Sequence, residues 1–252
     1  MEISIRRVIN GADLQLVINE LLPQSFDDPT DIDPPEVLER YHEEGLGVYH
    51  MVLVDDLPIG FTLTRVNPLT SAGYCPYMGI NPEWRNRGVG TAAFALIAQD
   101  LPVTHILFDF EDPDRMENVY PEKPLEDVVS MCLRRIGFWR RNGCFVVNDR
   151  EVPYCRPASD DTSEVQAYDC LAVRPVDLSD SRWGGVFNAD HSAMSAEAYR
   201  RFYLEIFQLE FGSREQLPSE EELRAEYPAI ELFLARLDAS GREWVSLYSD
   251  RP

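Results

Sequence analysis

In the run Met78-Gly79-Ile80-Asn81-Pro82-Glu83-Trp84-Arg85-Asn86-Arg87-Gly88-Val89-Gly90-Thr91-Ala92, a strand ends, a proline turn follows, and a helix starts inside a glycine-containing loop. The first N–H groups of a helix have no partners in their own ladder, and the helix dipole adds partial positive charge there. Gly88 and Gly90 remove side chains that would hold a phosphate away, while Arg85 and Arg87 add formal positive charge. A turn of this composition suits a diphosphate.

The flanking sequence supplies the frame. Residues 47–54 and 58–66 are apolar runs separated by Asp55-Asp56-Leu57, the pattern of a β-hairpin. A strand is expected over 74–80, a helix over 88–99 with Val89, Ala92, Ala93, Leu96 and Ile97 on one face, and a strand over 103–110. Upstream, residues 3–8 alternate as a strand. Leu14, Val17, Ile18, Leu21 and Leu22 then form a helical stripe, and Pro34-Pro35 opens a short helix after an Asp- and Pro-rich loop over 26–35. Downstream, residues 109–127 are acidic. Pro124 suits a first helical position, followed by a stripe of Leu125, Val128, Val129, Cys132, Leu133 and Ile136. Two final strands are expected over 143–148 and 165–173 around a loop at 149–164.

Residues 176–190 have linker character. Beyond them, Tyr199, Phe202, Tyr203, Ile206 and Phe207 line one helix; its aromatic stripe suits a core, with a cleft cap or a homodimer face as alternatives. Ser219 with Glu222 forms a capping box, and Pro228 breaks that helix before Ile230, Phe233, Leu234 and Leu237. No internal repeat occurs. The expected organisation is an α/β domain over 1–175 and a helical C-terminal extension over 176–252.

Two kinds of phosphate loop fit the glycines. Gly88-Val89-Gly90-Thr91-Ala92-Ala93 matches the dinucleotide pattern G-x-G-x-x-A, with Asp109 at roughly the 20-residue distance of a ribose-binding acid. Against it stand the residues 81–87 between strand and first glycine, the antiparallel character of the preceding elements, and the lack of later β-α-β units. The second fit is closer. Arg85-x-x-Gly88-x-Gly90 after a strand and proline resembles the coenzyme A loop of the GNAT superfamily of N-acetyltransferases, Q/R-x-x-G-x-G/A. The element order over roughly 3–175 matches, and Ile136-Gly137-Phe138-Trp139-Arg140-Arg141-Asn142-Gly143 resembles the family's second motif. Two positions depart from it: Trp139 stands where a tyrosine commonly serves as general acid, and Cys144 where a phenylalanine follows the glycine.

The resemblance implies a mixed, mostly antiparallel sheet with two central parallel strands, 74–80 and 103–110, splayed at the cofactor site. It implies direct acetyl transfer from acetyl-CoA (CoA) to an amine. Backbone groups of Met78, Gly79 and Ile80 would orient the pantetheine and thioester; Arg85, Arg87, Gly88, Val89, Gly90 and Thr91 would hold the diphosphate. The amine must be neutral to attack, so a base is needed. Glu111 is the first candidate and Asp109 the second, both at the end of a strand reaching the site. Asp109 and Tyr154 are expected on the acceptor side, and Tyr77 as an acid or substrate contact. Arg134, Arg135, Arg140 and Arg141 suit either the adenosine phosphate end or a solvated face.

The chain has 252 residues, 44 % of them apolar, with a formal net charge of −21. Such a surface repels nucleic acid and anionic lipid and favours cationic partners, so the expected partner is a cationic amine, with neither nucleic acid nor membrane. Lys123 is the sole lysine. No apolar run is long enough to span a membrane, and the N-terminal residues lack a secretory apolar region. The five cysteines (75, 132, 144, 155, 170) form no C-x-x-C, and His42, His50, His105 and His191 lie far apart. No metal, no disulfide framework and a cytoplasmic location are therefore expected. Two other functions stay open: an acyl-CoA-binding sensor without catalysis, motivated by Trp139, and a nicotinamide-dependent oxidoreductase.

Overall fold

Asp55 and Asp56 both adopt positive φ, 47° and 64°, in the computed structural model. Those angles make the primed turn whose twist matches a hairpin. The turn joins β2 (Gly47–Val54) to β3 (Leu57–Asn67). The structure describes residues 1–26, 32–67, 69–116, 120, 122–157, 165–166, 169–213 and 216–248. They fall into two compact units, Met1–Ile106 with Ser213, and Leu107–Gly212 with the residues from Gln216.

In the first unit, β1 (Ile3–Arg7), β2, β3 and β4 (Ala72–Ile80) pair antiparallel in that order. β2 buries both faces. Tyr49, Met51 and Leu53 join Phe61, Leu63 and Tyr77 in a core closed by Leu14, Val17, Ile18, Leu21, Leu22 and Leu38. Leu38 lies on α2 (Pro35–Glu43); the others open from α1 (Gly11–Leu16), which Asn10 caps by accepting the Asp13 N–H at 2.9 Å. The single helix expected over the leucine stripe does not continue: the turn widens to a π-helical Val17–Leu21, with Leu22 N–H bonding to Val17 C=O. The five apolar residues of the stripe all still turn into the core.

From β4 the chain passes through α3 (Val89–Asp100) to β5 (His105–Glu111), whose first two residues belong to this unit. A strand-helix-strand crossover returns parallel, so β4 and β5 make the sheet's one parallel pair, as expected. At the far end of α3, the Asp100 carboxylate lies 2.8 Å from buried His50 Nε2 on β2. Antiparallel β1–β4 is not the wound parallel sheet a dinucleotide fold needs, so the G-x-G-x-x-A match is coincidental.

In the second unit the strand order is β5, β9 (Asp169–Pro175), β6 (Phe145–Val146). Within it, α4 (Leu125–Arg141) buries Val128, Cys132 and Ile136 along one face. Two short pairs complete the strands: β7 (Arg156–Pro157) with β8 (Val165–Gln166), and β10 (Ala193–Ser195) with β11 (Trp244–Ser246). The first pair falls within segments expected as loop and longer strand, and the second was not foreseen. The expected linker over 176–190 holds a 3-10 turn, Ser181–Trp183, with Trp183 buried and stacked on Phe187.

Three helices follow: α5 (Ala196–Phe211), α6 (Glu220–Glu226) and α7 (Pro228–Ser240). Pro228 starts α7 rather than merely ending α6, because its missing N–H falls where a helix has no ladder partner. The aromatic stripe of α5 is core: Tyr203 stacks on Phe233 at 3.7 Å and donates to the Cys155 carbonyl at 2.7 Å. Buried Asp149 ties β11 to the 149–152 turn, accepting from the Glu151, Val152 and Ser246 N–H groups and from Arg242.

Candidate functional site

The predicted loop is built from local rules in the first unit. After Ile80, Asn81 accepts the Glu83 N–H at 3.0 Å, and Pro82–Trp84 forms a 3-10 turn. Asn86 and Gly88 then take positive φ, 62° and 78°. Left-handed φ suits glycine, and the space where a Gly88 side chain would project holds no atom within 4 Å. α3 starts at once, without a side-chain cap, and its first ladder bond runs from Ala92 N–H to Gly88 C=O. The N–H groups of residues 89–91 therefore precede the ladder, at the positive end of the dipole. The Arg87 guanidinium lies 5.3 Å from the centre of the Trp84 ring. A bare backbone, open space and a nearby cation fit a diphosphate.

Arg85 is turned differently. Its Nε donates to Ile80 C=O at 2.9 Å and its Nη2 to Ser25 C=O at 3.1 Å. Gly79 is buried beneath the same residue: a Cβ there would stand 2.4 Å from Ser25 Cβ and 2.9 Å from the Phe61 ring. Met78 and Ile80 flank it, partly exposed, on the opposite face of the strand. Tyr77 is core. Its hydroxyl accepts the Asp33 N–H at 3.0 Å, its ring meets Phe26 edge-on, and burial, then the Asp33 charge, push its pKa up.

The other candidates lie in the second unit. Asp109 accepts the Tyr154 hydroxyl at 3.0 Å, and Tyr154 is buried against Tyr203 and Phe207. Glu111 accepts from Tyr120 at 3.0 Å and forms a short ion pair with Arg135. Burial alone would raise the Glu111 carboxyl; the Arg135 charge and hydrogen bonds outweigh it, and the net direction is down. Two other acids of the run have arginine partners, Asp112 with Arg115 and Asp114 with Arg150. Asp112 is nonetheless raised, chiefly by burial. Residues 117–119 and 121, also in that run, lie outside the described residues.

The Trp139 ring packs tilted against Phe108, centroids 4.1 Å apart, and stacks on Phe110 at 6.4 Å, alternate residues of β5. Asp109 and Glu111 occupy the other set of alternate positions. The four arginines of α4 do not act as one cluster: Arg135 pairs with Glu111, Arg134 donates to Ser130, and Arg140 lies over the Tyr248 ring. Sequence reading missed Ser25 and Tyr120 altogether and gave Arg135 another use. Arg135 stands one position from the Ile136 of the buried stripe, a placement helical periodicity could have exposed. Nothing in the spacing signals Ser25.

A cavity of about 270 Å³ is lined by Asn148, Asp149, Arg150, Glu151, Arg242, Ser246, Leu247 and Tyr248. None of the candidate residues lines it. Among the described residues, no group of three His, Cys, Asp or Glu side chains could hold a metal, and no helix is long and apolar enough to cross a membrane.

No protein-family model matches the sequence, and no curated protein matches it. Solved structures do. A Bacteroides thetaiotaomicron protein assigned to the GNAT acetyltransferases is 25 % identical with a TM-score of 0.50, over 71 % of this chain and 92 % of its own. The ribosomal-protein-S18-alanine N-acetyltransferase of Escherichia coli is 12 % identical with a TM-score of 0.48, over 71 % and 97 %. The PaiA N-acetyltransferase of Thermoplasma acidophilum, solved with coenzyme A, is 16 % identical with a TM-score of 0.42, over 69 % and 99 %. By its strand order, its turn into α3 and its likeness to the Bacteroides protein, the chain is a member of the GNAT superfamily.

Proposed function

We propose that the chain transfers an acetyl group from acetyl-CoA directly to a primary amine. The observation that carries this reading is the uncapped start of α3 behind a left-handed Gly88 with open space beside it. Bound acetyl-CoA would supply the acyl group as an activated thioester. The N–H groups of residues 87–91 would hold its diphosphate, with Arg87 adding charge. The backbone of Met78, Gly79 and Ile80 would orient the thioester arm.

The acceptor reaches the enzyme as an ammonium at neutral pH and must lose a proton to attack. Glu111, held ionised by Arg135, is suited to favour the cation rather than to take its proton, because a lowered pKa makes a weak base. Asp109 then takes the proton, steadied by the Tyr154 hydroxyl. In this reading 1–175 carries the reaction and 176–252 packs behind Tyr154. Five buried cysteine thiols suit a reducing cytoplasm.

Trp139 supports a second reading. An indole packed against Phe108 offers no labile proton for a leaving thiolate, as in a protein that binds acyl-CoA without turning it over. One assay separates the two. With acetyl-CoA and a panel of mono- and polyamines, transfer releases free thiol in proportion to amine. CoA binding without amine-dependent thiol would instead establish a sensor, and stabilisation by NAD(P)H alone would remove both.

A further inference from the structure

Arg85 belongs to the loop expected to grip phosphate, yet its fork points at two carbonyls. Nε reaches Ile80 C=O and Nη2 reaches Ser25 C=O, at 2.9 and 3.1 Å. Guanidinium is a rigid planar group, so two such bonds fix the spacing of the segments they join. One segment is the exit of β4. The other is the tail of the π-helical turn. There Ser25 satisfies its own N–H and hydroxyl locally, on Leu22 C=O and Leu21 C=O, and turns its carbonyl to Arg85.

Two further contacts press the same tail onto β4. Gly79 leaves no room for a Cβ under Ser25, and Asn81 Nδ2 donates to Gln24 Oε1 at 3.2 Å. The Ser25 side chain therefore lies directly on the backbone of residue 79, and Gln24 is tied to Asn81 beside it. Arg85 is also one residue from left-handed Asn86 and three from Gly88. Arg85 therefore links the start of that turn to the tail through its two side-chain bonds.

We propose that Arg85 is a positioning residue rather than a phosphate ligand: it couples the turn at 86–91 to the 22–26 segment, so that cofactor binding sets the wall over Gly79. The coupling rests on the acetyl-CoA reading; the staple itself does not.

Hydrogen exchange of peptides spanning 20–26, with and without CoA, tests it alongside CoA affinity. Arg85→Lys keeps the charge but cannot bridge both carbonyls. In the wild type, CoA slows exchange at 22–26. In Arg85→Lys and Arg85→Ala, exchange there rises about tenfold or more without ligand and CoA no longer slows it, while Kd for CoA stays within about fivefold. A phosphate ligand predicts the reverse: Arg85→Ala loses CoA affinity by tenfold or more, Arg85→Lys keeps most of it, and exchange at 22–26 is unchanged in both. That result overturns the proposal, as does a wild type that binds CoA without slowing 22–26. If the wild type binds no CoA, the function reading and the coupling fall together, and ligand-free exchange in Arg85→Lys still decides whether the staple exists. Should Arg85→Ala fail to fold, Arg85→Lys decides alone.

Discussion

Glu111 carries a charge that its own burial opposes, and Arg135 with Tyr120 keeps it ionised. A carboxyl whose pKa is lowered on folding stabilises the native state above its unfolded pKa. That contribution is lost as pH falls through the lower, folded value. Glu111→Gln should therefore lower the unfolding free energy at pH 7 by about 1–2 kcal/mol; solvent at half-exposed Arg135 softens the loss of its partner. The difference from wild type should close as pH drops below the ordinary value of 4.5. Urea midpoints between pH 3 and pH 7 check this, and a difference constant across that range would mean that the pair carries no net charge coupling. The identity of Glu111 as a strand-end carboxylate was legible in the sequence. Its pairing was not, because Arg135 lies 24 residues away and only the packing of α4 against the strand end decides which guanidinium arrives.

Elements that obey local rules were legible in proportion to how local the rule is. Ser219 and Glu222 form the reciprocal capping box their spacing predicts. α6 has only seven residues, too few to hold together on propensity, so the cap matters. Ser219→Ala should lower stability by about 1 kcal/mol, a fall in Tm of about 2–4 °C, read by calorimetry. No shift would mean that the ion pairs of Arg200 and Arg224 with Glu220 hold α6 unaided. The turn into α3 was equally legible, since glycine, proline and asparagine write backbone angles directly. The π-helical turn was not: its leucine stripe reads as one ordinary helix, and the widening answers to the core it meets.

Across the whole molecule, the helices after residue 175 are part of the second unit's core. Tyr199 and Tyr203 donate to the Val152 and Cys155 carbonyls, and Tyr154 packs on Tyr203 and Phe207. A chain ending at Pro175 should expose those aromatic surfaces, leave two buried carbonyls without donors, and aggregate or bind ANS. Dye fluorescence and light scattering decide it. A soluble, cooperatively unfolding 1–175 would show instead that the helices are an appendage. The sequence by itself determined the strands β1–β5, the helices α2–α7 with the α6 cap, and the glycine turn, because each depends on residues within a few positions of one another. Only the tertiary structure decided that Arg85 holds Ser25, that Tyr154 meets Asp109, and that α5 is core. Those partners are far apart along the chain, and the direction in which a side chain points is set by what packs around it.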